Sequence, residues 1–175
     1  MNRKPIIIIL GEPFSTFSEI VFKFYKSKLI NNYKRPIVYI GSADLIKLQM
    51  SKLKYNIKLN KIKISDINKK SLNNKSMNII NVNFKFKKIF DKISTKSFKY
   101  IEKCFDIALL LMNNSNAYAL INGPISKKHF LKKKYLGITE YLSKKIKLKK
   151  SGIMLIYNPN FSVSPITTHL PFKNI

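Results

Sequence analysis

Residues 119–140 read ALINGPISKKHFLKKKYLGITE, and the succession of textures within them sets the class of the whole chain. The apolar run Ala119, Leu120, Ile121 stops at Asn122-Gly123-Pro124, the pattern of a strand meeting a sharp turn. Ser126 then offers a hydroxyl where a helix N-cap needs an acceptor, just ahead of a lysine-rich segment of helical composition. Open α/β sheets build ligand crevices from this order of strand, glycine turn and helix, at the carboxyl ends of their strands.

Working outward, the same alternation recurs. Residues 5–10 form a β-branched run suited to a strand covered on both faces. Residues 15–30 place Phe17, Ile20, Val21, Phe24, Tyr25 and Leu29 near helical spacing. Residues 36–40 read as a second strand, and Gly41-Ser42 opens a helix over 43–53. Strand, helix, strand, helix argues for an α/β sheet with right-handed crossovers. Between 55 and 64, Ile57, Leu59, Ile62 and Ile64 alternate with Lys and Asn, which predicts an edge or antiparallel strand half exposed to water. A polar connection covers 66–76, a short strand 78–82, and 84–95 has no firm assignment. Residues 97–112 are the best helix, with Phe98, Ile101, Phe105, Ala108, Leu109 and Met112 on one face. A further helix is expected over 139–148, then two strands over 152–157 and 161–168 around Asn158-Pro159-Asn160. Pro165 demotes the second of these strands to an edge or bulge. No helix follows them to cover the sheet they imply, so the reading is of a truncated α/β chain.

A chain of 175 residues buries one sizeable core. Its 34 basic and 8 acidic residues leave a net charge of +26, which ordinarily suggests nucleic acid or an anionic membrane face. Only Arg3 and Arg35 are arginines, however, and lysine is the poorer phosphate fork and base reader. The abundance of Ile and Asn alongside makes much of the lysine compositional drift. The single cysteine, Cys104, fits a reducing cytoplasm. The apolar run 6–10 is too short for a signal peptide, and no stretch approaches the roughly 20 apolar residues of a membrane helix. The expectation is a cytoplasmic chain without a membrane partner.

Three short motifs stand at the ends of these segments. Gly11-Glu12-Pro13 follows the first strand, Gly137-Ile138-Thr139-Glu140 follows the lysine-rich segment, and Thr167-Thr168-His169-Leu170-Pro171 follows the last strand. His169, just past a strand end and backed by hydroxyls, suits a metal ligand or a proton-transfer group; half-buried and bonded to backbone is its plainer reading. His129, in the lysine-rich segment, reads as solvated. Neither a G-x-G-x-x-G nor a P-loop pattern is present.

In order and approximate spacing, these pieces together with Asn122-Gly123-Pro124 resemble the 4-hydroxythreonine-4-phosphate dehydrogenase family of pyridoxal phosphate biosynthesis. The resemblance spans nearly the whole chain and about the first half of such an enzyme. It implies the isocitrate/isopropylmalate dehydrogenase-like fold, a layered sheet flanked by helices and here truncated. Residues 1–118 would form an incomplete first α/β domain, and 119–175 the start of a second domain for metal, substrate and dimerisation. The resemblance further implies NAD and a divalent metal (Zn, Mg or Co) as cofactors, a small phosphorylated amino-acid substrate, and a homodimer at full length. By position, His169 corresponds to a metal ligand shared with the dimer partner and Thr139 to a residue that binds the phosphorylated substrate. Ile138 stands where the family has a histidine that contacts substrate, and Phe14-Ser15-Thr16-Phe17 replaces its glycines with bulkier residues. The implied reaction is NAD-dependent oxidation of 4-phosphohydroxy-threonine followed by decarboxylation, with the isolated chain inactive by itself. Alternative readings are a basic nucleic-acid-binding protein using Lys with 12 Phe and 9 Tyr, or an acyl or phosphate transferase of the same fold. No recognition motif for specific nucleic-acid binding is present.

Overall fold

A computed structural model of the chain describes residues 3–132, 134–149 and 152–166. It divides into two compact units, Met1–Ser126 and Lys127–Ile175.

The first unit is a parallel sheet of five strands in the order β3-β4-β2-β1-β5. In chain order its elements are β1 (Ile6–Ile9), α1 (Phe17–Lys26), β2 (Ile37–Gly41), α2 (Ala43–Lys52), β3 (Leu59–Ile62), β4 (Met77–Asn81), α3 (Phe98–Asn113) and β5 (Ala119–Asn122). The layered α/β class expected from the alternating pattern is the one observed. Strand β2, between β1 and β4, is buried along its whole length, whereas in β1, the β-branched run expected to be covered on both faces, Ile7 and Ile9 are buried and Ile6 and Ile8 only half-buried. Because successive side chains of a strand point to opposite faces, the sheet sorts its partners by parity. Ile37, Tyr39, Met77 and Ile79 cluster with Val21 and Phe22 of α1 and Ala43, Ile46 and Met50 of α2. Helix α3 lies across β1, β2 and β5 on the other face, burying Tyr100, Ile101, Cys104, Phe105, Ala108 and Leu111. Of the stripe expected on α3, Ile101, Phe105 and Ala108 are buried, while Leu109 and Met112 are only half-buried.

Strand β3 is an edge strand, as its half-polar alternation suggests, and it pairs parallel to β4, Leu59 opposite Met77. No α-helix makes the crossover between them; the chain passes through a 3-10 turn, Ile64–Asp66, and a loop tied down by asparagines. The Asn74 side chain accepts from the Ile37 amide at 2.8 Å and donates to the carbonyls of Tyr33 (3.0 Å) and Arg35 (2.9 Å). Asn78, buried in β4, donates to Ile37 and Asn73 carbonyls and accepts from Asn60. These amides occupy backbone groups that would otherwise be buried without partners. Strand β5 pairs with β1, Ile6 opposite Ala119, so the first unit runs through Ser126, past the boundary expected after residue 118.

In the second unit, the lysine-rich segment does not form the serine-capped helix its composition suggests. Lys127–Leu131 makes a single π-helical turn, and Lys132 then takes a left-handed φ of 50° that ends it. Helix α4 (Ile138–Lys145) follows, shorter at its end than expected, and the Phe130 and Tyr135 rings pack edge-on against Tyr141 at 5.1 and 5.3 Å. Strands β6 (Ile156–Asn158) and β7 (Phe161–Val163) form the expected antiparallel hairpin, Asn158 opposite Phe161. Strand β7 stops before Pro165, which removes a ladder donor. Among the described residues no helix is long and apolar enough to cross a membrane.

Phe22 is fully buried under the sheet, and Phe22→Ala should cost about 3–5 kcal/mol in a denaturant titration, the range for emptying an aromatic core site. Burial also pushes the Cys104 thiol from 9.0 up to about 12, and the Tyr25 phenol from 10.0 up to about 12. The native state therefore holds protons that the unfolded chain releases, so stability is full below pH 9 and falls as pH rises from there towards 12. Thiol labelling of the native protein should track unfolding, and Cys104→Ala should flatten the onset of the alkaline decline.

Candidate functional site

The carboxyl ends of β1 and β5 lie closer together than side chains allow. Gly11 adopts φ +73°, and a Cβ there would fall on the Pro124 carbonyl oxygen and 2.9 Å from the Gly123 carbonyl carbon. A Cβ on Gly123 would fall 2.6 Å from the Leu10 oxygen and 2.8 Å from that of Ile9. Only glycine fits both positions. The approach is sealed by backbone bonds, Glu12 N–H to Pro124 O at 2.9 Å and Gly123 N–H to Ile9 O at 2.7 Å.

The Glu12 side chain turns this junction into a hub. It is only 3% exposed, and its carboxylate accepts the Ser126 amide at 3.1 Å and the Ser97 hydroxyl at 2.8 Å. Ser97 stands immediately before α3, so one carboxylate joins the turn after β1, the start of α3 and the turn after β5. A hydroxyl has one proton, and the Ser94 carbonyl lies 2.9 Å from the same oxygen; donation to Glu12 is the stronger choice because the acceptor carries charge. The Ser126 amide is thus spent on Glu12.

Two more segments are fixed at this end of the sheet. Gln49, completely buried in α2, donates from Nε2 to the carbonyls of Pro13 (2.9 Å) and Ile89 (3.1 Å). Phe14 meets the Phe84 ring edge-on at 5.7 Å, and Phe84 packs on Tyr100 at 4.9 Å. Bulk at position 14 therefore fills space against the 83–94 segment. The start of α2 is capped by this protein's own side chains: Ser42 Oγ accepts from Leu45 N–H and Asn81 Oδ1 from Ala43 N–H at 2.9 Å. The Ser42 amide donates to Tyr100 Oη at 3.0 Å, and burial, together with the neighbouring Cys104, pushes that phenol well above its ordinary value. Most polar groups at this end of the sheet have partners, and Gln49 Oε1 is a buried exception.

The residues singled out from sequence lie in the second unit. Ile138 and Thr139 are the first two residues of α4, both half-buried, and the preceding Gly137 has no side chain with which to cap the helix. The positive end of a helix dipole suits an anion, against which Glu140 sets a carboxylate in the same turn. The Thr139 carbonyl accepts the Ser143 hydroxyl at 2.8 Å, and Ser143 Oγ in turn accepts the Gly152 amide at 3.1 Å, bracing the helix. Lys127 is exposed. His169 lies outside the described residues. Among those described, no group of three or more His, Cys, Asp or Glu side chains comes together. Sequence reading passed over Glu12, Ser97 and Gln49 as site-forming residues; the available signal was a carboxylate inside an apolar strand-end motif in a chain with only 8 acids.

Residues 32–175 match the family of pyridoxal phosphate biosynthetic protein PdxA. The chain belongs to that family. Solved structures with the PdxA-like fold include a Salmonella typhimurium protein put forward as a 4-hydroxythreonine-4-phosphate dehydrogenase, at TM-score 0.82 and 20% identity, covering 98% of this chain and 53% of that one. The 4-hydroxythreonine-4-phosphate dehydrogenases of Burkholderia phymatum and Klebsiella pneumoniae superpose at TM-scores of 0.81 and 0.78, each 18% identical and covering 98% of this chain and 52% of theirs. This chain thus spans about half the length of the PdxA-fold structures it matches. No match was found among curated proteins.

Glu12→Ala removes the acceptor of the part-buried Ser126 amide, while the Ser97 hydroxyl turns to the Ser94 carbonyl, and it should lower unfolding free energy by about 1–3 kcal/mol. Glu12→Gln keeps one acceptor oxygen and should lose about half as much; equal losses in a denaturant titration would contradict the assigned bonds.

Proposed function

We propose that this protein takes part in the NAD-dependent oxidation of 4-phosphohydroxy-threonine to 2-amino-3-oxo-4-phosphooxybutanoate, followed by decarboxylation, in pyridoxal phosphate biosynthesis. The observation that carries the proposal is family membership over residues 32–175. The fold shared with structures bearing the dehydrogenase name supports it. In this reaction the substrate hydroxyl gives up its proton and the carbon beneath it gives a hydride to NAD. The new carbonyl neighbours the carbon that carries the carboxylate, so that bond can break with its electron pair taken up by the carbonyl as carbon dioxide leaves.

The proposal assigns Thr139 and the start of α4 to the substrate phosphate, supported by the dipole of that helix and by a Gly137 that leaves space where a capping side chain would stand. Ile138 beside it can neither donate a hydrogen bond nor move a proton, so substrate is held there by shape alone. A divalent cation, Zn, Mg or Co, would polarise the substrate hydroxyl as a Lewis acid. The described residues do not by themselves make a metal site; His169 is the donor this chain is proposed to contribute, with others from outside the described residues. Glu12 touches no substrate in this scheme and acts by holding the strand-end turns. The proposal also includes a cytoplasmic homodimer, supported by the lone buried Cys104 and by the apolar hairpin, where Tyr157 is 72% and Phe161 69% exposed.

The test is NADH formation from phosphohydroxythreonine with NAD and a divalent cation, using the product of the coding sequence read through whatever follows codon 175. Turnover that vanishes in His169→Ala supports the reading, as does a KM raised roughly ten- to a hundredfold in Thr139→Val, the scale of one hydrogen bond to a charged group. Ile138→His should raise kcat. Absence of metal-dependent NADH formation from the unaltered protein would overturn the dehydrogenase reading and favour a transferase of the same fold.

A further inference from the structure

The far edge of the sheet carries a feature that the proposed reaction does not use. Between α2 and the edge strand β3 lies an open depression of about 900 Å³, floored by Met50, Ile57 and Leu59. A second depression, of about 330 Å³, adjoins it and reaches Tyr25 and Lys75. The two share residues 54–57, with Tyr55 in the common wall. They therefore form one track along the surface rather than two isolated pits.

The charge of the track is lopsided. Lys26, Lys47, Lys54, Lys58 and Lys75 line it, and all are exposed. None of these five has an ion pair with a carboxylate among the described residues, where the bridges are Lys23 with Glu19, Lys61 with Asp44 and Lys69 with Asp66. The one acid on the track, Asp44, is already neutralised by Lys61 at 2.8 Å. Lys54 holds its position in a left-handed turn (φ 59°) that follows α2. The Tyr55 ring packs on Phe22 at 5.5 Å, and the Lys26 ammonium lies 5.9 Å from its centroid. An aromatic ring fixed from behind, with cations around it, is a surface on which a base can stack while its phosphates meet lysine.

We infer that this track binds single-stranded RNA without sequence preference. Three features favour that partner over a small anion. The depressions, of about 900 and 330 Å³, exceed what one phosphate group fills, the five lysines come from separate segments of the chain, and apolar side chains line the same space as Tyr55. Lysine as the sole cation type gives backbone contact without base reading, so no sequence preference follows. The track lies on α2 and β3, away from the turns after β1 and β5, which lets RNA bind independently of the reaction proposed above.

A chain of net charge +26 binds any polyanion to some degree, so the test must separate place from charge. The groove variant carries Lys47, Lys54, Lys58 and Lys75 each changed to Gln. The control carries the same change at four exposed lysines of another segment, Lys85, Lys87, Lys92 and Lys96. Binding of a fluorescent oligouridylate is measured across a salt series, with circular dichroism confirming that both variants are folded. The groove variant should lose at least tenfold in affinity, and its slope of log K against log salt should shrink by roughly 2–3, at about 0.7 for each single-strand phosphate contact. The control should stay within about threefold of the unaltered protein. Equal losses in the two variants, or inorganic polyphosphate binding as tightly as the oligouridylate, would overturn the inference and leave charge alone as the cause.

Discussion

The contact between Gly11 and Gly123 is the constraint on which this end of the molecule rests. Two backbones approach to a distance that no side chain permits, and that approach places the Glu12 amide on Pro124 and the Glu12 carboxylate on Ser97 and Ser126. A buried carboxylate without such partners is costly to desolvate, so the hub works only as a set. The pairing of β5 beside β1 sets up the approach, the approach places Glu12, and Glu12 fixes the start of α3. Gln49 extends the same logic sideways, taking two carbonyls from loops that no strand holds.

Much of this was legible from residue patterns. The β-branched run at residues 6–9 and the strand ending at Asn122-Gly123 read correctly because parallel strands covered on both faces are nearly all apolar. The α/β class and the hairpin at residues 156–163 followed from alternation and turn residues. The parallel pairing of β3 was not legible, since half-exposed alternation looks the same in either direction, and direction is set by a crossover whose anchors are Asn74 and Asn78. Those asparagines were hidden by abundance: in a chain this rich in Asn, composition cannot tell a clamp from drift. The helix expected after Ser126 was cut to one π-helical turn that stops at the left-handed Lys132, a break that helical composition does not reveal.

The candidate site showed the same division. Thr139 and Ile138 were singled out through motif resemblance, and the structure adds that Gly137, before the helix they open, has no side chain to cap it. Glu12 was noted only as part of a backbone motif, although its burial makes it the residue that holds the turns. Bulk at Phe14, which reads as a departure when only the motif is considered, is accommodated by an aromatic stack with Phe84 and Tyr100. Substitution and compensation lie far apart in the chain and close in space.

The pairing of Ile6 with Ala119 has a consequence for biosynthesis. One edge of β1 stays bare while the ribosome makes nearly everything between these two residues, because its partner strand has not yet been translated. An uncovered row of isoleucines is a hazard for nascent chains. The lysines that crowd the intervening sequence give the emerging polypeptide a mutual repulsion that opposes its self-association until β5 arrives. A charge that reads as drift in the finished fold thus doubles as protection for an unfinished one.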